Sequence, residues 1–395
     1  MQKSYVGFIF GGNSAESDVS VVTALGLEKQ IRGTIEFEPV FIYISRENKF
    51  YYVPCSYMRV DTFKNVADRL RKFEIDFVRG GGVRKVHGLK RKLLFSLDAI
   101  VNCCHGGAGE NGELSGYFKL LDIPFSTASH LALGLAMDKN LFKLALRSSG
   151  ILVPSWVYFS GFEYSKNKDE IISKVVALRF PVIVKPNASG SSLGVTIVGS
   201  VEELEEAVLV ALEFDSSVVV EKLVQNKVEF NCAVLGGGEE IIVSDVDQIE
   251  NNHNLFSFAD KYIGSPSDKG GLQSGQISKI GTGNNAKSLK GMESAARLIP
   301  APISDGLTHK IQSVSAQVFK LLRLSGISRV DFLYDKKKKK LYVGEINAVP
   351  GSMALYFFSR SKLGCRGVIS KLIEIAKSER KRNKSVNEKF IPKIF

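Results

Sequence analysis

The amino-acid sequence predicts an α/β protein that begins with an open parallel sheet. Residues 5–10 are apolar throughout, as in a buried strand, and after a glycine-rich turn residues 19–29 have helical spacing. A second buried strand at residues 99–104 also ends in a glycine-rich loop, and a helix follows it. Strand, glycine turn and helix in this order are typical of nucleotide-binding-like α/β layers, in which ligands gather at the carboxyl ends of the strands. We therefore assign residues 1–126 to a substrate-binding domain.

The next distinctive segment is a loop of small residues between two strands. Residues 182–185 are mostly β-branched and end in Lys185, residues 187–192 are small and carry hydroxyl groups, and residues 196–198 resume a strand pattern. Small residues leave backbone amides able to surround an anion, which a nearby ammonium group neutralises. A P-loop has the opposite order, because its lysine follows the glycines and opens a helix. The order here favours a hairpin whose turn covers phosphates, although an ordinary polar hairpin turn has the same pattern.

The rest of the chain predicts two further units, residues 127–222 and residues 223–395. Their predicted elements are helices at residues 137–149, 201–213 and 308–324, and strands at residues 182–185, 196–198, 218–222, 229–235, 329–334 and 341–346. Residues 264–290 are dense in Gly, Ser, Asn and Lys. Because such a segment can bury little apolar surface, we expect a mobile loop there.

Three oxygen-bearing side chains near the carboxyl terminus predict a metal site. Glu345 and Asn347 point the same way, because residues two apart on a strand share a face. Asp331 can join them if its strand pairs with theirs across the lysine-rich turn at residues 336–340. Two carboxylates and an amide oxygen are hard ligands suited to magnesium that bridges nucleotide phosphates. The competing interpretation is that acidic residues at strand ends simply meet water.

Composition limits the classes of partner. The chain has 395 residues, of which 44% are hydrophobic and 24% charged, as in ordinary globular proteins. Neither a membrane-spanning stretch nor a secretory signal is evident, so we expect no membrane contact and a cytoplasmic location. Two basic runs, residues 336–340 and 377–384, contribute to the net charge of +12 but contain no interleaved aromatics, so we expect solvated surface and no nucleic acid. Five cysteines without paired metal-ligand spacing predict reduced thiols.

Seven motifs resemble those of the ATP-grasp ligases and, within them, the D-alanine–D-alanine ligases. They are FGGNSAE at residues 10–16, HGGAGENG at 105–112, AMDK at 136–139, VKPNASGSSLG at 184–194, DKY at 260–262, RVD at 329–331 and EINAVPG at 345–351. The resemblance covers nearly the whole chain. It implies an ATP-grasp fold, with an open parallel-sheet domain followed by two ATP-grasp subdomains that hold the nucleotide between them. It also implies an ATP-dependent enzyme that joins two D-alanine molecules through an acyl phosphate, for peptidoglycan precursor synthesis.

The resemblance further implies roles for individual residues. The residues implied to bind ATP are Lys139, Lys185, Ser192, Glu221, Lys222, Val224, Glu229 and Lys261. Those implied in catalysis are Glu16, Ser191, Tyr262, Arg329 and Gly351. Amino acids would be bound by Glu16, His105 and Tyr356, and two magnesium ions, which manganese could replace, by Asp331, Glu345 and Asn347. Within this set the lysines neutralise phosphate charge, and the guanidinium of Arg329 stabilises the transferring phosphoryl group.

Two features depart from the family pattern. After its Pro-Gly pair the family usually has a serine that binds the carboxylate of the second D-alanine, whereas Tyr356 stands at that position here. A phenol can also donate to a carboxylate but is far larger, so a related ligase with another D-amino acid, a hydroxy acid or an L-amino acid as second substrate is the alternative. The second feature is an insertion at residues 263–299, where a mobile loop would close the site.

Two further expectations concern the whole protein. The family resemblance implies a homodimer that acts on small-molecule amino acids and ATP. The competing hypothesis from a different class is a protein that holds ATP without turnover and docks a partner through its basic surfaces. The full set of Arg329, Asp331, Glu345 and Asn347 argues against it, because a protein that no longer catalyses has no physical need for them.

Overall fold

The computed structural model describes residues 4–33, 36–86, 93–238, 240–249 and 297–387. Lys261, Tyr262 and residues 263–296 of the predicted insertion lie outside these ranges. Within them the chain forms three sheets. None of the helices in the described ranges is both long enough and apolar enough to cross a bilayer.

The first sheet has seven described strands in the order β6-β5-β4-β3-β2-β1-β7. They are β1 (Tyr5–Gly11), β2 (Glu38–Ile44), β3 (Phe50–Val53), β4 (Glu74–Val78), β5 (Gly82–Lys85), β6 (Leu93–Ser96) and β7 (Ala99–Asn102). Strand β1 is parallel to both of its neighbours, β2 and β7, so the parallel pairing predicted for the first strands is confirmed. Each of the strands β3 to β6 pairs antiparallel with the strand that precedes it in the chain. The turn from β2 to β3 is too short for the crossover that a parallel pair requires.

Helices and a second sheet follow. The helices of the first part are α1 (Ser17–Ile31), α2 (Val60–Lys64), α3 (Val66–Leu70) and α4 (Glu113–Leu120), and α5 (His130–Met137) and α6 (Lys139–Ser148) lead onward. Asp138 ends α5 and caps α6, because its carboxylate accepts the Leu141 N–H at 2.8 Å. The second sheet contains β8 (Trp156–Ser160), β9 (Val182–Pro186), β10 (Thr196–Val198) and β11 (Ser217–Lys222), in the antiparallel order β10-β9-β11-β8. The predicted β9–β10 hairpin is confirmed. Helices α7 (Gly161–Lys166), α8 (Lys168–Ala177) and α9 (Leu204–Leu212) belong to this part of the chain.

The third sheet carries the strands of the predicted metal site. Its strands are β12 (Lys227–Gly237), β13 (Glu240–Ile249), β14 (Arg297–Leu298), β15 (Gly326–Asp335) and β16 (Lys340–Asn347), in the antiparallel order β14-β13-β12-β15-β16. The predicted pairing of β15 with β16 across the lysine turn is confirmed, and the turn is exposed. Arg297 and Leu298 fall at the end of the predicted insertion, yet they pair with β13 as an edge strand. Helix α10 (Asp305–Leu321), a 3₁₀ segment (Gly351–Phe358) and α11 (Gly364–Asn387) complete the described chain.

One apolar core joins the first and third sheets. Buried residues of α11, among them Val368 and Leu372, pack in the same cluster as Phe8 of β1 and Leu235 of β12. The basic run at residues 377–384 lies on this helix, so the prediction of plain solvated surface is only partly right: Arg380 forms a two-bond ion pair with Asp122 at 2.8 Å. Helix α11 therefore packs against both sheets and fixes how they meet.

Candidate active site

A row of polar side chains crosses the third sheet. Asp247 on β13 is the register partner of Asn231 on β12, Asn231 is the partner of Asp331 on β15, and Asp331 is the partner of Glu345 on β16. Partners in an antiparallel pair project on the same side of a sheet. The neighbouring residues along these strands project to the opposite side of the sheet and are buried in an apolar core with α10. They include Phe230, Cys232, Val330 and Ile346. The sheet thus has one apolar face and one face whose polar residues line a cleft.

Arg329 and Asp331 form the central ion pair of this polar face. Arg329 Nε lies 2.6 Å from Asp331 Oδ1, and Arg329 Nη2 lies 2.7 Å from Asp331 Oδ2. The Asn347 amide also donates to Asp331 Oδ2, at 2.9 Å, so the three side chains are in contact. Burial alone would lower the pKa of Arg329, but the Asp331 carboxylate holds that pKa well above its ordinary value. Arg329 is therefore a permanent, nearly buried cation.

Two lysines from the other side of the cleft share one buried carboxylate. Lys143 Nζ lies 3.2 Å from Glu221 Oε1, and Lys185 Nζ lies 3.1 Å from Glu221 Oε2. Lys143 has no exposed side-chain area, and Glu221 is 2% exposed. Burial opposes charge on Lys185, but Glu221 outweighs it and raises the pKa of Lys185, whereas burial lowers the pKa of Lys143. The predicted ATP residues Lys185 and Glu221 are thus held by a third residue, Lys143, that the motifs did not indicate.

The small-residue loop is tied to its surroundings at several points. The ammonium group of Lys139 donates to the Ser189 carbonyl at 2.5 Å. Ser191 and Ser192 have φ angles of 55° and 60°, left-handed conformations that occur in tight turns. The Ser191 hydroxyl donates to the Glu16 carboxylate, so the loop reaches the first sheet. The structure therefore brings the predicted residues Glu16 and Ser191 into direct contact.

The two glycine-rich loops of the first sheet meet beside this contact. The Ser20 hydroxyl accepts the Gly11 N–H and donates to the Cys103 carbonyl, both at 2.8 Å, which joins the ends of β1 and β7. His105 follows β7, and its Nε2 lies 3.0 Å from Thr23 Oγ1. Burial lowers the pKa of His105, so the imidazole is neutral near pH 7.

Glu110, from the second glycine-rich loop, lies near Glu16 and His105. Its Oε1 is 3.9 Å from His105 Nδ1. Burial raises the pKa of Glu110 to about 8, and the neighbouring Glu16 adds to the shift. Two carboxyl groups in one small space favour a shared proton or a bound cation.

Two adjoining cavities collect most of the predicted residues. The larger, of about 170 Å³, is lined by every predicted ATP residue in the described ranges and by Asp331 and Glu345. The smaller, of about 70 Å³, is lined by Glu16, His105, Ser191, Arg329, Asn347 and Gly351, and also by Glu110. The walls of both include Lys139, Arg329 and Glu345. The described ammonium groups and the oxygen-bearing triad predicted to surround one triphosphate therefore face a common cleft.

Three of the predicted residues also have other contacts within the protein. The Lys222 ammonium donates to the carbonyl of Phe180 at 3.3 Å and to that of Arg179, so it is engaged at the edge of the second sheet. Glu229 lines the larger cavity but is paired with Lys227 at 2.6 Å. Tyr356 lines neither cavity, and its ring packs on Phe357 with centroids 4.6 Å apart.

Comparisons with known proteins identify the family. The model described as D-ala D-ala ligase N-terminus matches residues 5–128, and the one described as D-ala D-ala ligase C-terminus matches residues 145–277 and 283–374. The chain belongs to the D-alanine–D-alanine ligase family. Members of this family are ATP-dependent ligases with the ATP-grasp fold, so the predicted fold and enzyme class are confirmed.

Individual relatives of this ligase family cover almost all of the chain. The D-alanine–D-alanine ligase of Thermosipho melanesiensis is 30% identical over 390 residues, which are 97% of this chain and 96% of the relative. The vancomycin B-type resistance protein VanB of Enterococcus faecalis is 30% identical over 358 residues, 89% of this chain and 91% of the relative. Among solved structures, the D-alanine–D-alanine ligase from Coxiella burnetii has a TM-score of 0.77 at 23% identity and covers 98% of both chains. The VanG D-Ala:D-Ser ligase from Enterococcus faecalis has a TM-score of 0.76 at 27% identity and covers 95% of this chain and all of that one.

The sequence reasoning missed four charged residues in or beside this ligase's cleft. They are Glu110, Lys143, Asp247 and Arg297. A usable signal existed for two of them. Glu110 lies inside the HGGAGENG motif, and Lys143 follows Lys139 by four residues and so shares its face of α6. Asp247 and Arg297 depend on sheet register between distant segments, which gave no local signal.

Proposed function

We propose that this chain joins two D-alanine molecules into D-alanyl-D-alanine at the cleft between the second and third sheets. ATP would transfer its terminal phosphoryl group to the carboxylate of the first D-alanine and leave ADP. The amine of the second D-alanine would then attack the acyl phosphate, forming the amide bond, releasing phosphate and losing a proton. The observation that carries the proposal is the convergence of seven predicted ATP residues, Asp331 and Glu345 on one cavity of a family member.

The chain's own residues suit this reaction. Lys139 and Lys185 place two ammonium groups on the larger cavity, where triphosphate charge needs neutralising. Arg329 and Gly351 line the smaller cavity, where they could stabilise charge that develops during acyl transfer. The contact between Ser191 and Glu16 draws the loop over the first glycine-rich turn, which favours exclusion of water from a hydrolysable acyl phosphate.

Magnesium is the metal that these residues fit. The described ranges contain no group of three or more His, Cys, Asp or Glu side chains placed to hold a metal. The predicted set is not a group of that type, because it has only two carboxylates and takes its third ligand from the amide of Asn347. Asp331 and Glu345 are register partners, and the Asn347 amide contacts Asp331. Two carboxylates and an amide provide oxygen donors of the type that magnesium prefers. We propose that Asp331, Glu345 and Asn347 hold magnesium, which supplies charge neutralisation on the phosphates.

The three sheets support the proposed division into domains. Each sheet falls within one of the ranges 1–126, 127–222 and 223–395, and the cleft is lined by residues of all three. We propose that the first unit binds the amino acid, while the second and third hold ATP between them. The homodimer and the cytoplasmic location remain predictions, and light scattering on the purified protein tests the first.

The experiment is product formation from ATP, magnesium and D-alanine. We expect release of phosphate and a dipeptide of the correct mass, and a loss of turnover of about 10²-fold or more in Asp331→Asn and Glu345→Gln. Asp245→Asn is the matched control, because Asp245 lies exposed on β13 of the same sheet. Equal turnover in all of these proteins would exclude the metal assignment, and no D-alanine-dependent product would exclude the proposed function.

A second candidate is a ligase that accepts a different second substrate. Tyr356, at the position where the family usually has serine, is the specific observation in its favour. The relatives also include VanG, described as a D-Ala:D-Ser ligase. Mass spectrometry of products from D-alanine mixed with D-serine, larger D-amino acids, D-lactate and L-amino acids separates the two candidates.

A further inference from the structure

A wide cavity with a basic wall lies apart from the cleft, between the first unit and the helices α10 and α11 of the third. Its volume is about 770 Å³, and none of its lining residues also lines either cavity of the cleft. Six of the lining side chains are cationic and two are carboxylates. The six are Arg79, Lys119, Lys320, Arg323, Arg380 and Arg382. We call this space the basic cavity.

Two helix ends of the same form border the basic cavity. Helix α4 is followed by Asp122 and α10 by Arg323, both with left-handed backbone at φ angles of 54° and 52°. At both ends, backbone N–H groups of the next residues donate to the last carbonyls at 2.9–3.1 Å. Basic side chains are therefore not needed to satisfy these carbonyls, although a cation near a helix C-terminus is favourable. That effect does not account for Arg79 and Arg380, which come from other elements.

The carboxylates of the basic cavity are already engaged, whereas several of its cations are not. One carboxylate accepts two hydrogen bonds of 2.8 Å from Arg380, and the other accepts one from Arg382. The exposed cations of the cavity that form no ion pair with any residue in the described ranges are Arg79, Lys119 and Arg323. Like charges gathered in one concave space repel one another and attract anions. The charge of the wall therefore favours an anionic ligand.

Uncharged groups of the wall also favour an anion. Thr127 lines the basic cavity, and its hydroxyl oxygen is buried with no hydrogen-bond partner among the described residues. A buried hydroxyl in this state is unfavourable unless a ligand supplies the partner. Ser129 also lines the cavity and caps α5, since its side chain accepts the Ala132 N–H. The amino-terminal end of α5, which carries positive partial charge, thus adjoins the same space.

Another part of the wall is apolar. Leu120 is 79% exposed, which is unusual for a large apolar side chain, and Ile123, Phe125 and Phe319 lie buried in the same wall. A phosphate ion alone would leave this surface uncovered, whereas a ligand with an organic portion would cover it. The volume lies in the range of sites that bind small organic molecules.

We propose that the basic cavity is a second phosphate site, which binds a small molecule that carries a diphosphate on an organic portion, such as a nucleoside diphosphate. The planar guanidinium groups of Arg79 and Arg323 are suited to phosphate oxygens, and Lys119 adds a point charge. The organic portion would pack on Leu120. Because Arg79 and Lys119 belong to the first unit and Arg323 to the third, the ligand would hold these two units together. The inference goes beyond the proposed function and uses none of its residues.

The test is isothermal titration calorimetry of the full chain in magnesium-free buffer, with UDP as the probe. We expect UDP to bind the wild-type protein. Lys119→Gln/Arg323→Gln should raise the Kd of UDP at least about 10-fold, because two charge-assisted contacts are lost. Lys85→Gln/Lys310→Gln is the matched control, since it removes one exposed cation from each of the same two units, away from the basic cavity. The control should bind UDP as the wild-type protein does.

A variant of the cleft shows which site is measured. Lys185→Met removes a lysine that lines the larger cavity of the cleft, so it should raise the KM of ATP and leave the Kd of UDP unchanged. Lys119→Gln/Arg323→Gln should have the opposite effects. A Kd of UDP that rises only in Lys185→Met would place UDP in the cleft and overturn the inference. A wild-type protein that binds UDP in the basic cavity but makes no dipeptide would instead exclude the proposed function alone.

Two further probes separate the parts of the ligand. Inorganic pyrophosphate should bind more weakly than UDP and be equally sensitive to Lys119→Gln/Arg323→Gln, and uridine should not bind. Pyrophosphate that binds as tightly as UDP would exclude a role for the organic portion, and uridine that binds as tightly would exclude the phosphate site. Binding of neither UDP nor pyrophosphate would overturn the inference as a whole. If the double variant does not fold, Lys119→Gln and Arg323→Gln are titrated singly, and each should weaken UDP binding.

Discussion

Lys143→Met is the substitution that most directly tests how the cleft is assembled. Lys143 has no exposed side-chain area, and its ammonium group lies 3.2 Å from Glu221 Oε1 and 5.9 Å from the centroid of the Trp156 ring. Methionine retains most of the apolar stem but removes the charge. Glu221 keeps one cation after the substitution, because Lys185 remains 3.1 Å from its other oxygen.

The expected loss of stability follows from these distances. At 3.2 Å and an effective dielectric constant of about 20, the Coulomb attraction in the lost pair is about 5 kcal/mol. Part of this is recovered, because an ammonium group no longer has to be removed from water on folding. Breaking a buried pair costs about 3–5 kcal/mol when the remaining charge has no partner. Glu221 still has Lys185 as a partner, so the cost here should be smaller. We expect a decrease of about 2–3 kcal/mol in the free energy of unfolding.

The substitution should also weaken ATP binding. In the unsubstituted protein the Glu221 carboxylate pairs with two lysines, Lys143 and Lys185. Without Lys143, the carboxylate would attract Lys185 alone. Lys185 would then be drawn from the proposed phosphate contact toward the carboxylate. We expect the KM of ATP to rise several-fold, with a smaller change in the KM values of D-alanine.

The assay compares Lys143→Met with Lys174→Met by urea unfolding and by initial rates. Lys174 also pairs with a glutamate, Glu170, at 2.7 Å, but both side chains are more than half exposed. An exposed pair contributes about 0.3–0.5 kcal/mol, so this control should be nearly silent. Glu221→Gln in the Lys143→Met background should not restore stability, because it also removes the 3.1 Å ion pair of Lys185. Equal stability of the two single variants, with an unchanged KM for ATP, would refute the reasoning.

Two further predictions concern the first sheet and its contact with the third. Burial raises the pKa of Glu110 to about 8, whereas the same carboxyl group in the unfolded chain ionises near pH 4.5. Between these two pH values the folded state therefore binds more protons than the unfolded state. The free energy of unfolding should fall as pH rises through that window, by at most about 1.4 kcal/mol per pH unit from this group. Glu110→Gln should flatten this dependence in thermal melts of the ligand-free protein, and an identical pH profile would contradict the assignment. Gly326→Ala should destabilise the fold by about 3 kcal/mol, because φ is +85° and a Cβ would overlap the Ser126 carbonyl. Gly306→Ala, with open space around it, should be neutral or slightly stabilising, and equal effects of the two alanines would contradict the steric argument.

The sequence predicts the parts of the site that depend on local patterns. The β9–β10 hairpin follows from a β-branched run, a small-residue loop and a second strand, all within residues 180–198. Glu345 and Asn347 follow from strand periodicity. The pairing of Asp331 with Glu345 follows because a short lysine turn leaves the two strands few alternatives.

The parts that the sequence does not predict depend on contacts between distant segments. The polar row from Asp247 to Glu345 requires the register of four strands, and a shift by one residue would turn every side chain to the other face. Strand β14 has only two residues, too few for a periodic signal, yet it places Arg297 in the cleft. The burial of Lys143 is also unexpected, because lysine is almost never fully buried unless it is paired, and its partner Glu221 is far along the chain.

Three cations of the cleft are already paired with carboxylates within the protein, and this determines how an anionic substrate can bind. Arg329 is paired with Asp331, Arg297 with Asp247, and Lys185 with Glu221. These pairs have already lost side-chain freedom, so a phosphate finds cations in place and avoids that entropic cost. It must nevertheless compete with a carboxylate for each one. The second lysine on Glu221 weakens that competition at Lys185, because a carboxylate shared between two cations holds each less tightly. Buried Lys143, which contacts no proposed substrate, would in this way determine how readily Lys185 is released to the triphosphate.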